Sequence, residues 1–323
     1  MKQILHLEAY NYPSSALQKL QVLGNLVSVN ISSQTELDTL LSEKSFDYIF
    51  TTIGYYLGKE NLQSQLALKA IITPTTGLNH LDLDYLNYRN IKIISLKGEV
   101  DILRSVQSTA EHTWALLLSL IRNISKATLS VKQGSWDRAV LLCDELNTKT
   151  LGIIGFGRLE NIISEYAKAF SMKTMITDIS EESLNNAIAK GVEVVDLSAL
   201  LAKSDYILLM ASYSKENENL INEESFSIMK QTAYFINTSR GEMVDEEALL
   251  KALKTKKIKG AALDVLRDDS SWKLHVPKNH PLIEYASLED NLLITPHIGG
   301  YGKVSIEKTR EFITRKFIEK IEK

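Results

Sequence analysis

The 323-residue chain has one cysteine, Cys143, which excludes an intrachain disulfide and a thiolate metal cluster, and no metal is expected. Long apolar runs are also missing. The stretch at 114–118 breaks at Ser119, far short of the ~18 residues that a membrane span needs. The opening MKQILHLEAYNYP has one lysine, with His6 and Glu8 inside its short apolar stretch, unlike a secretory signal. Asn30-Ile-Ser and Asn123-Ile-Ser then read as chance matches to the glycosylation pattern, and a soluble, cytoplasmic protein is expected. Positive charge is not in excess. Lys plus Arg (37) against Asp plus Glu (40) leaves −3, which argues against nucleic acid or anionic lipid as a partner. No period of 20–50 residues repeats, and no low-complexity linker divides the chain.

The composition is globular, with 44% apolar and 24% charged residues. The length is enough for two domains at about 150 residues each. Short β-type runs alternate with helical patterns, the mark of parallel sheets covered by helices. QILHLEAY, NLVSVNI, FDYIFTTIG, KAIITPTTG and IKIISLKG predict five strands in the first 98 residues. Between them SSALQKLQVLG (ended by Gly24), SQTELDTLLSEK, ENLQSQL and LDLDYLNYRN predict four crossover helices. Ser105 to Arg122 reads as one long helix, with Val106, Ala110, Trp114, Leu117 and Leu118 at apolar positions. A second alternating set runs from Leu151 to about Pro296, with strands LGIIGF, KTMITD, VEVVDL, DYILLMA, TAYFINTS, GAALDV and NLLITPH. Ser305 to Lys323 predicts a single amphipathic helix that returns to the first unit. The fold class expected is α/β with two doubly wound parallel-sheet domains. Residues 1–100 plus 300–323 would form one, flavodoxin-like, and residues 101–299 the other, Rossmann-type.

Gly155-Phe156-Gly157 follows a strand and precedes a helix starting near Leu159. The first glycine permits the tight turn, and the second lets backbone approach a pyrophosphate at the helix N-terminus. Asp178 closes the next strand 21 residues after Gly157, where a carboxylate binds a ribose 2′-hydroxyl and repels a 2′-phosphate. That favours NAD over NADP. Glu160 replaces the third glycine of the motif, which loses close packing and adds negative charge beside a diphosphate. A lone Gly-x-Gly is commonly just a turn, but the strand, helix and acid around it favour a dinucleotide site. Arg240, Asp269 and His297 also follow strands of the second set, at the edge where α/β proteins bind ligands. Singly they read as a surface ion pair, a turn residue and a packed histidine.

Together these segments resemble the D-isomer-specific 2-hydroxyacid dehydrogenases nearly end to end. The resemblance runs through TTGLNHLDLDYL, STAEHTWALLLSLIRN, QGSWDR, TLGIIGFGR, NLINEESFSIMK, FINTSRGEMVDEEALLKAL, KGAALDV and LLITPHIGG. It implies a substrate domain and a Rossmann NAD domain, NAD as cofactor, a small 2-hydroxy or 2-oxo acid as substrate, and a homodimer formed through the NAD domains. Carried over by position, His297 is the acid/base, Arg240 the carboxylate anchor and Asp269 the support of the histidine. Thr76 and Gly77 would offer backbone N–H groups to the substrate carboxylate. Gly155, Gly157, Arg158, Leu159, Asp178, Thr238, Asp264 and Thr109 would line the cofactor, with Asp264 facing the nicotinamide amide. Histidine titrates near neutrality and can give or take the proton that accompanies hydride transfer. Arginine grips a carboxylate in a planar fork, which aims C2 at the hydride.

The chain departs from this family at several points. Asp269 stands in place of glutamate, Ser270 in place of proline, and Met210 and Ser212 in place of a histidine and a proline. TTIGYYLGKE places Tyr55 and Tyr56 where relatives acting on phosphorylated substrates carry arginines. With no C-terminal regulatory domain in view, 3-phosphoglycerate is not the expected substrate. Lys97-Gly98-Glu99 reads either as a solvated turn or as a polar loop for a hydroxylated acid. Two other functions compete with a dehydrogenase: an NAD(H)-binding sensor, and a catalytically impaired relative suggested by Glu160 and Asp269.

Overall fold

Short aliphatic runs buried on both faces build the centre of the first sheet. In the computed structural model, which describes residues 1–272 and 275–321, its strands are β1 (Lys2–His6), β2 (Gly24–Ser28), β3 (Tyr48–Phe50), β4 (Ala70–Ile72) and β5 (Lys92–Ile94). All pair in parallel, in the order 2-1-3-4-5. Successive side chains leave opposite faces. Ile4, Phe50, Ile72 and Ile94 therefore pack one side with Ala16, Leu20, Ile313 and Phe317. Leu5, Ile49 and Ile71 pack the other side with Leu37, Leu41, Leu62 and Leu86. The C-terminal helix Lys303–Ile321 buries Phe317 edge-on against Tyr48 and Phe50, with ring centroids 4.9 and 5.1 Å away. Gly24 ends the Ser14–Leu23 helix in extended backbone and begins β2; a Cβ there would lie 2.3 Å from the Lys2 carbonyl oxygen.

The second sheet has seven parallel strands: β6 (Thr150–Ile154), β7 (Lys173–Thr177), β8 (Glu193–Val194), β9 (Tyr206–Leu209), β10 (Tyr234–Asn237), β11 (Gly260–Leu263) and β12 (Leu292–Ile294). Their order is 12-11-10-9-6-7-8. The direction of winding reverses between β6 and β9, so a crevice opens at their carboxyl ends. The helix Ser108–Ile121 buries Ala110, Trp114, Leu117 and Leu120 in one core with Leu151, Ile153, Leu208 and Ile236 of this sheet. The two expected doubly wound parallel sheets are thus both present.

The helix expected over 105–122 is shorter and has neighbours. Val100–Arg104 forms its own turn, the main helix starts at Ser108, and Asn123 (φ 53) precedes a further helix, Ile124–Lys132. Apolar spacing continues from Val106 to Ala110 across the break, so periodicity cannot reveal it. The tail helix begins at Lys303, two residues earlier than expected; residues 322 and 323 lie outside the described residues. By packing, Met1–Val106, Asp269–Pro277 and Tyr301–Lys323 form one unit, and Gln107–Asp268 with Lys278–Gly300 the other.

Candidate active site

The second unit carries most of the expected site along the carboxyl edge of its sheet. Gly155 leaves β6 with φ +94, and a Cβ there would stand 2.8 Å from the Ala211 backbone beyond β9. Only glycine tolerates both demands. The Phe156 N–H donates to Asp178 Oδ2 at 2.7 Å, and the Ser180 N–H to Asp178 Oδ1 at 2.8 Å. Asp178 is thereby fixed at the end of β7 beside the glycine turn, and each oxygen keeps a second lone pair for a ribose hydroxyl. Gly157 caps the helix Arg158–Ala169, with Arg158 and Leu159 half-buried in its first turn. The cradle fits an adenine dinucleotide: a glycine turn, a helix N-terminus and an acid at the next strand end.

Glu160 sits in this cradle and is only 6% exposed. Its carboxylate accepts the backbone N–H groups of Glu160 itself and of Gly157. The bond to Gly157 is the returning half of a capping box. Its pKa is raised to about 7, chiefly by burial and also by Asp178, against the downward pull of the backbone bonds and Arg158. Met210, the departure on the facing loop, is buried, and its N–H donates to the Ile154 carbonyl. Ser212 is exposed.

Arg240, Asp264 and His297 follow three neighbouring strands, β10, β11 and β12. At about 4.8 Å per strand, the Arg240 and His297 loops start roughly 10 Å apart. Asn237 shapes the first loop: its Oδ1 accepts the Ser239 N–H and its Nδ2 donates to the Arg240 carbonyl, both at 2.9 Å. Arg240 itself is half-buried and donates to the Ser239 carbonyl. The Ser239 hydroxyl donates to the Ala211 carbonyl, which ties this loop to the one opposite Gly155. Thr238 meets Thr113 hydroxyl to hydroxyl at 2.7 Å. The Thr113 proton goes to the Thr109 carbonyl, so Thr238 is the donor to Thr113.

His297 adopts φ +53, and its N–H donates to the Asp264 carbonyl at 2.8 Å. Asp264, 2% exposed, holds the turn around it. Oδ1 accepts Thr295 Oγ1 (2.6 Å) and the Ile298 N–H (2.9 Å), and Oδ2 the Gly299 N–H (2.7 Å). Burial raises the Asp264 pKa, but bonds from His112, Thr295, Ile298 and Gly299 outweigh it and leave the net shift downward. Asp264, the residue expected to face the nicotinamide amide, also anchors the 295–299 turn. The Thr109 methyl lies against the same turn, 3.4 Å from where a Gly299 Cβ would stand.

The remaining expected residues belong to the first unit. Thr76 is exposed and Gly77 half-buried in the loop after β4, where Thr75 Oγ1 donates to the Gly77 carbonyl at 2.8 Å. Among the described residues, neither the Thr76 nor the Gly77 N–H is bonded to another group. Asp269 opens the short 3₁₀ turn Asp269–Ser271 in the segment that packs with this unit. The Tyr55 hydroxyl donates to the Ile31 carbonyl, while Tyr56 remains exposed. Glu99 is paired with Lys316 at 2.6 Å, which makes its loop a structural contact with the C-terminal helix.

Sequence reasoning missed Asn237, Thr113, Ser108 and His112. One signal for the last three was available: polar residues at i, i+1, i+4 and i+5 in the first turns of a largely apolar helix.

Two parallel α/β units, one with a dinucleotide cradle and with an arginine and a histidine at strand ends two places apart in the same sheet, fit an NAD-dependent dehydrogenase. Residues 114–299 match the family model for the NAD-binding domain of D-isomer specific 2-hydroxyacid dehydrogenases. A glyoxylate reductase of Thermofilum pendens is 34% identical over 255 residues, 78% of this chain and 71% of that protein. A hydroxypyruvate reductase of Thermotoga maritima is 34% identical over 256 residues, 79% of this chain and 76% of the relative. The solved D-lactate dehydrogenase from Aquifex aeolicus, complexed with NAD and lactic acid, superposes with a TM-score of 0.80. It is 30% identical, and the match covers 99% of this chain and 95% of that one. The chain belongs to the D-isomer specific 2-hydroxyacid dehydrogenase family. It is an NAD-dependent oxidoreductase that transfers hydride between the nicotinamide and C2 of a small 2-hydroxy or 2-oxo acid.

Proposed function

We propose that His297 is the acid/base of this reaction and Arg240 the anchor of the substrate carboxylate. The observation that carries this reading is their placement at the carboxyl ends of β12 and β10, on the edge that also bears Gly155 and Asp178. NADH, when bound, supplies the hydride. His297 gives a proton to the C2 oxygen as the 2-oxo acid is reduced and takes it back in the reverse direction, so charge and atoms balance. The Arg240 fork fixes the carboxylate and therefore the face that C2 presents. Thr76 and Gly77 are proposed as carboxylate donors from the first unit, and their unused N–H groups support that role. Asp269 is proposed as the carboxylate that sustains the charged histidine. In domain terms, 1–100 with 300–323 would serve the substrate and 101–299 the cofactor.

The assay is NADH with a panel of 2-oxo acids, followed at the nicotinamide absorbance. Turnover by the native protein and its loss in His297→Gln is expected. Tight NADH binding with no turnover on any acid would overturn the proposal and leave the sensor reading. The impaired-relative reading has one observation behind it, the Glu160 carboxylate in the cradle.

No helix of the described residues is long and apolar enough to cross a membrane, and we take the protein to act in the cytoplasm. A homodimer is supported by exposed apolar residues of the second unit: Ile124, Leu129, Val131, Trp136, Val140 and Leu142. Trp136 is 89% exposed, and so dense an apolar surface marks an interface, for which the family resemblance supplies a second copy. Light scattering should give about twice the chain mass, and Trp136→Glu should shift it toward the monomer.

A further inference from the structure

We infer that His112 is a positioning residue for His297, holding the 295–299 turn through Asp264 from the helix Ser108–Ile121. The inference rests on the reading of His297 as the acid/base. His112 Nε2 lies 3.1 Å from Asp264 Oδ1 and 3.0 Å from Thr295 Oγ1. Thr295 gives its own proton to Asp264 Oδ1. The only proton left for both contacts is on His112 Nε2, so the histidine is the donor and the bond is shared between the two oxygens. One side chain thus ties the helix to the carboxylate and to the hydroxyl that start the turn.

One helical turn earlier, Ser108 Oγ donates to the Gly299 carbonyl at 2.7 Å and grips the other end of the same turn. Ser108 and His112 are four residues apart and share a helix face. The turn is therefore held at Thr295 and Gly299 from the helix, and at Ile298 and Gly299 by Asp264. His297 sits between these holds in a left-handed conformation that a histidine does not favour by itself. Thr113, next on the helix, takes the bond from Thr238 two residues before Arg240. The same face thus registers both loops of the proposed site, while the apolar face of the helix serves the core.

A positioning role predicts a loss in the chemical step with cofactor binding intact. His112→Leu removes the donor at similar bulk, and kcat for 2-oxo acid reduction should fall about 10- to 100-fold, with NADH Kd within about twofold. His112→Gln places an amide N–H near the Nε2 position and should restore kcat to within about threefold. Ser108→Ala, a milder change, should move kcat in the same direction. The decisive readout is a double-mutant cycle with His297→Gln. Once His297 is gone, His112→Leu should change the residual rate less than about twofold. Native kcat in His112→Leu, alongside a strongly slowed His297→Gln, overturns the inference alone. Equal losses in both backgrounds, or loss of NADH binding together with kcat, assign His112 to general stability and also overturn it. Native kcat in His297→Gln overturns the reading of His297 itself, and the inference with it.

Discussion

Replacing Glu160 by glutamine should strengthen NADH binding at alkaline pH and remove most of its pH dependence. The carboxylate is buried, bonded to the Gly157 N–H, and titrates at about 7. A pyrophosphate on this helix N-terminus needs the same electropositive ground. At about 5 Å and an effective dielectric of about 20, one negative charge repels another by roughly 3 kcal/mol. That is about two pKa units, so cofactor binding should lift the Glu160 pKa to about 9. A group whose pKa rises on binding takes up a proton. Affinity is then greatest below about pH 7, falls up to tenfold per unit above it, and levels off near pH 9. Between pH 6 and pH 8 the native protein should lose about tenfold in NADH affinity. Glu160→Gln should be flat across that range and at pH 8 bind about as tightly as the native protein at pH 6. Arg158 and Asp178, the charged groups acting on Glu160, remain in place in both proteins, so the difference isolates the carboxylate. The assay is a fluorescence titration of NADH at pH 6, 7 and 8. Equal native affinities at pH 6 and 8, or one slope in both proteins, would refute the reasoning. Glu160 would then be a helix cap that leaves the pyrophosphate untouched.

Three further outcomes are expected. NADH should bind on the order of a hundredfold more tightly than NADPH, because Asp178 would face a 2′-phosphate dianion with a repulsion of about 3 kcal/mol at about 5 Å and an effective dielectric of about 40; equal affinities in a titration would remove Asp178 from the ribose site. Arg240→Lys should lose about a hundredfold in kcat/KM while NADH Kd stays within about twofold, since the charge survives and the fork does not. Loss of both would instead make Arg240 a structural residue. If Asp269 sustains the charged form of His297 as proposed, Asp269→Asn should move the alkaline limit of kcat/KM for 2-oxo acid reduction to lower pH, because the histidine must be protonated to reduce and a partner carboxylate favours that form. Asp269→Glu should restore or extend that limit, and one shared limit in all three proteins would point to another partner, with Asp268 the first to test.

The strands were the most legible part of this chain. A parallel sheet covered on both faces writes short continuous aliphatic runs such as KAII, YILL and TAYFIN, and no other common element uses that pattern between helical stretches. The break before Ser108 was invisible for the opposite reason, because apolar spacing crosses it without interruption. The dinucleotide cradle was half legible. Gly155 and Asp178 announced themselves by spacing, and the structure ties them together through the Phe156 N–H. Glu160 was visible as a departure, but only the fold shows its carboxylate turned back on the Gly157 N–H. Arg240 and His297 were readable only by resemblance, since each has an ordinary explanation alone. What holds them left only a polar stripe on one helix, with nothing to name its partners. Ser108 reaches Gly299 across 191 residues of chain, His112 reaches Asp264 across 152, and Thr113 reaches Thr238 across 125. Periodicity reports which face of a helix is wet or dry, and a polar face reads as solvated unless its partner is known. Here that face is covered by two loops from distant strands. The residues that carry the proposed chemistry are conspicuous by type, whereas those that aim them are ordinary serines, threonines and a histidine whose meaning comes from what the sheet brings beside them.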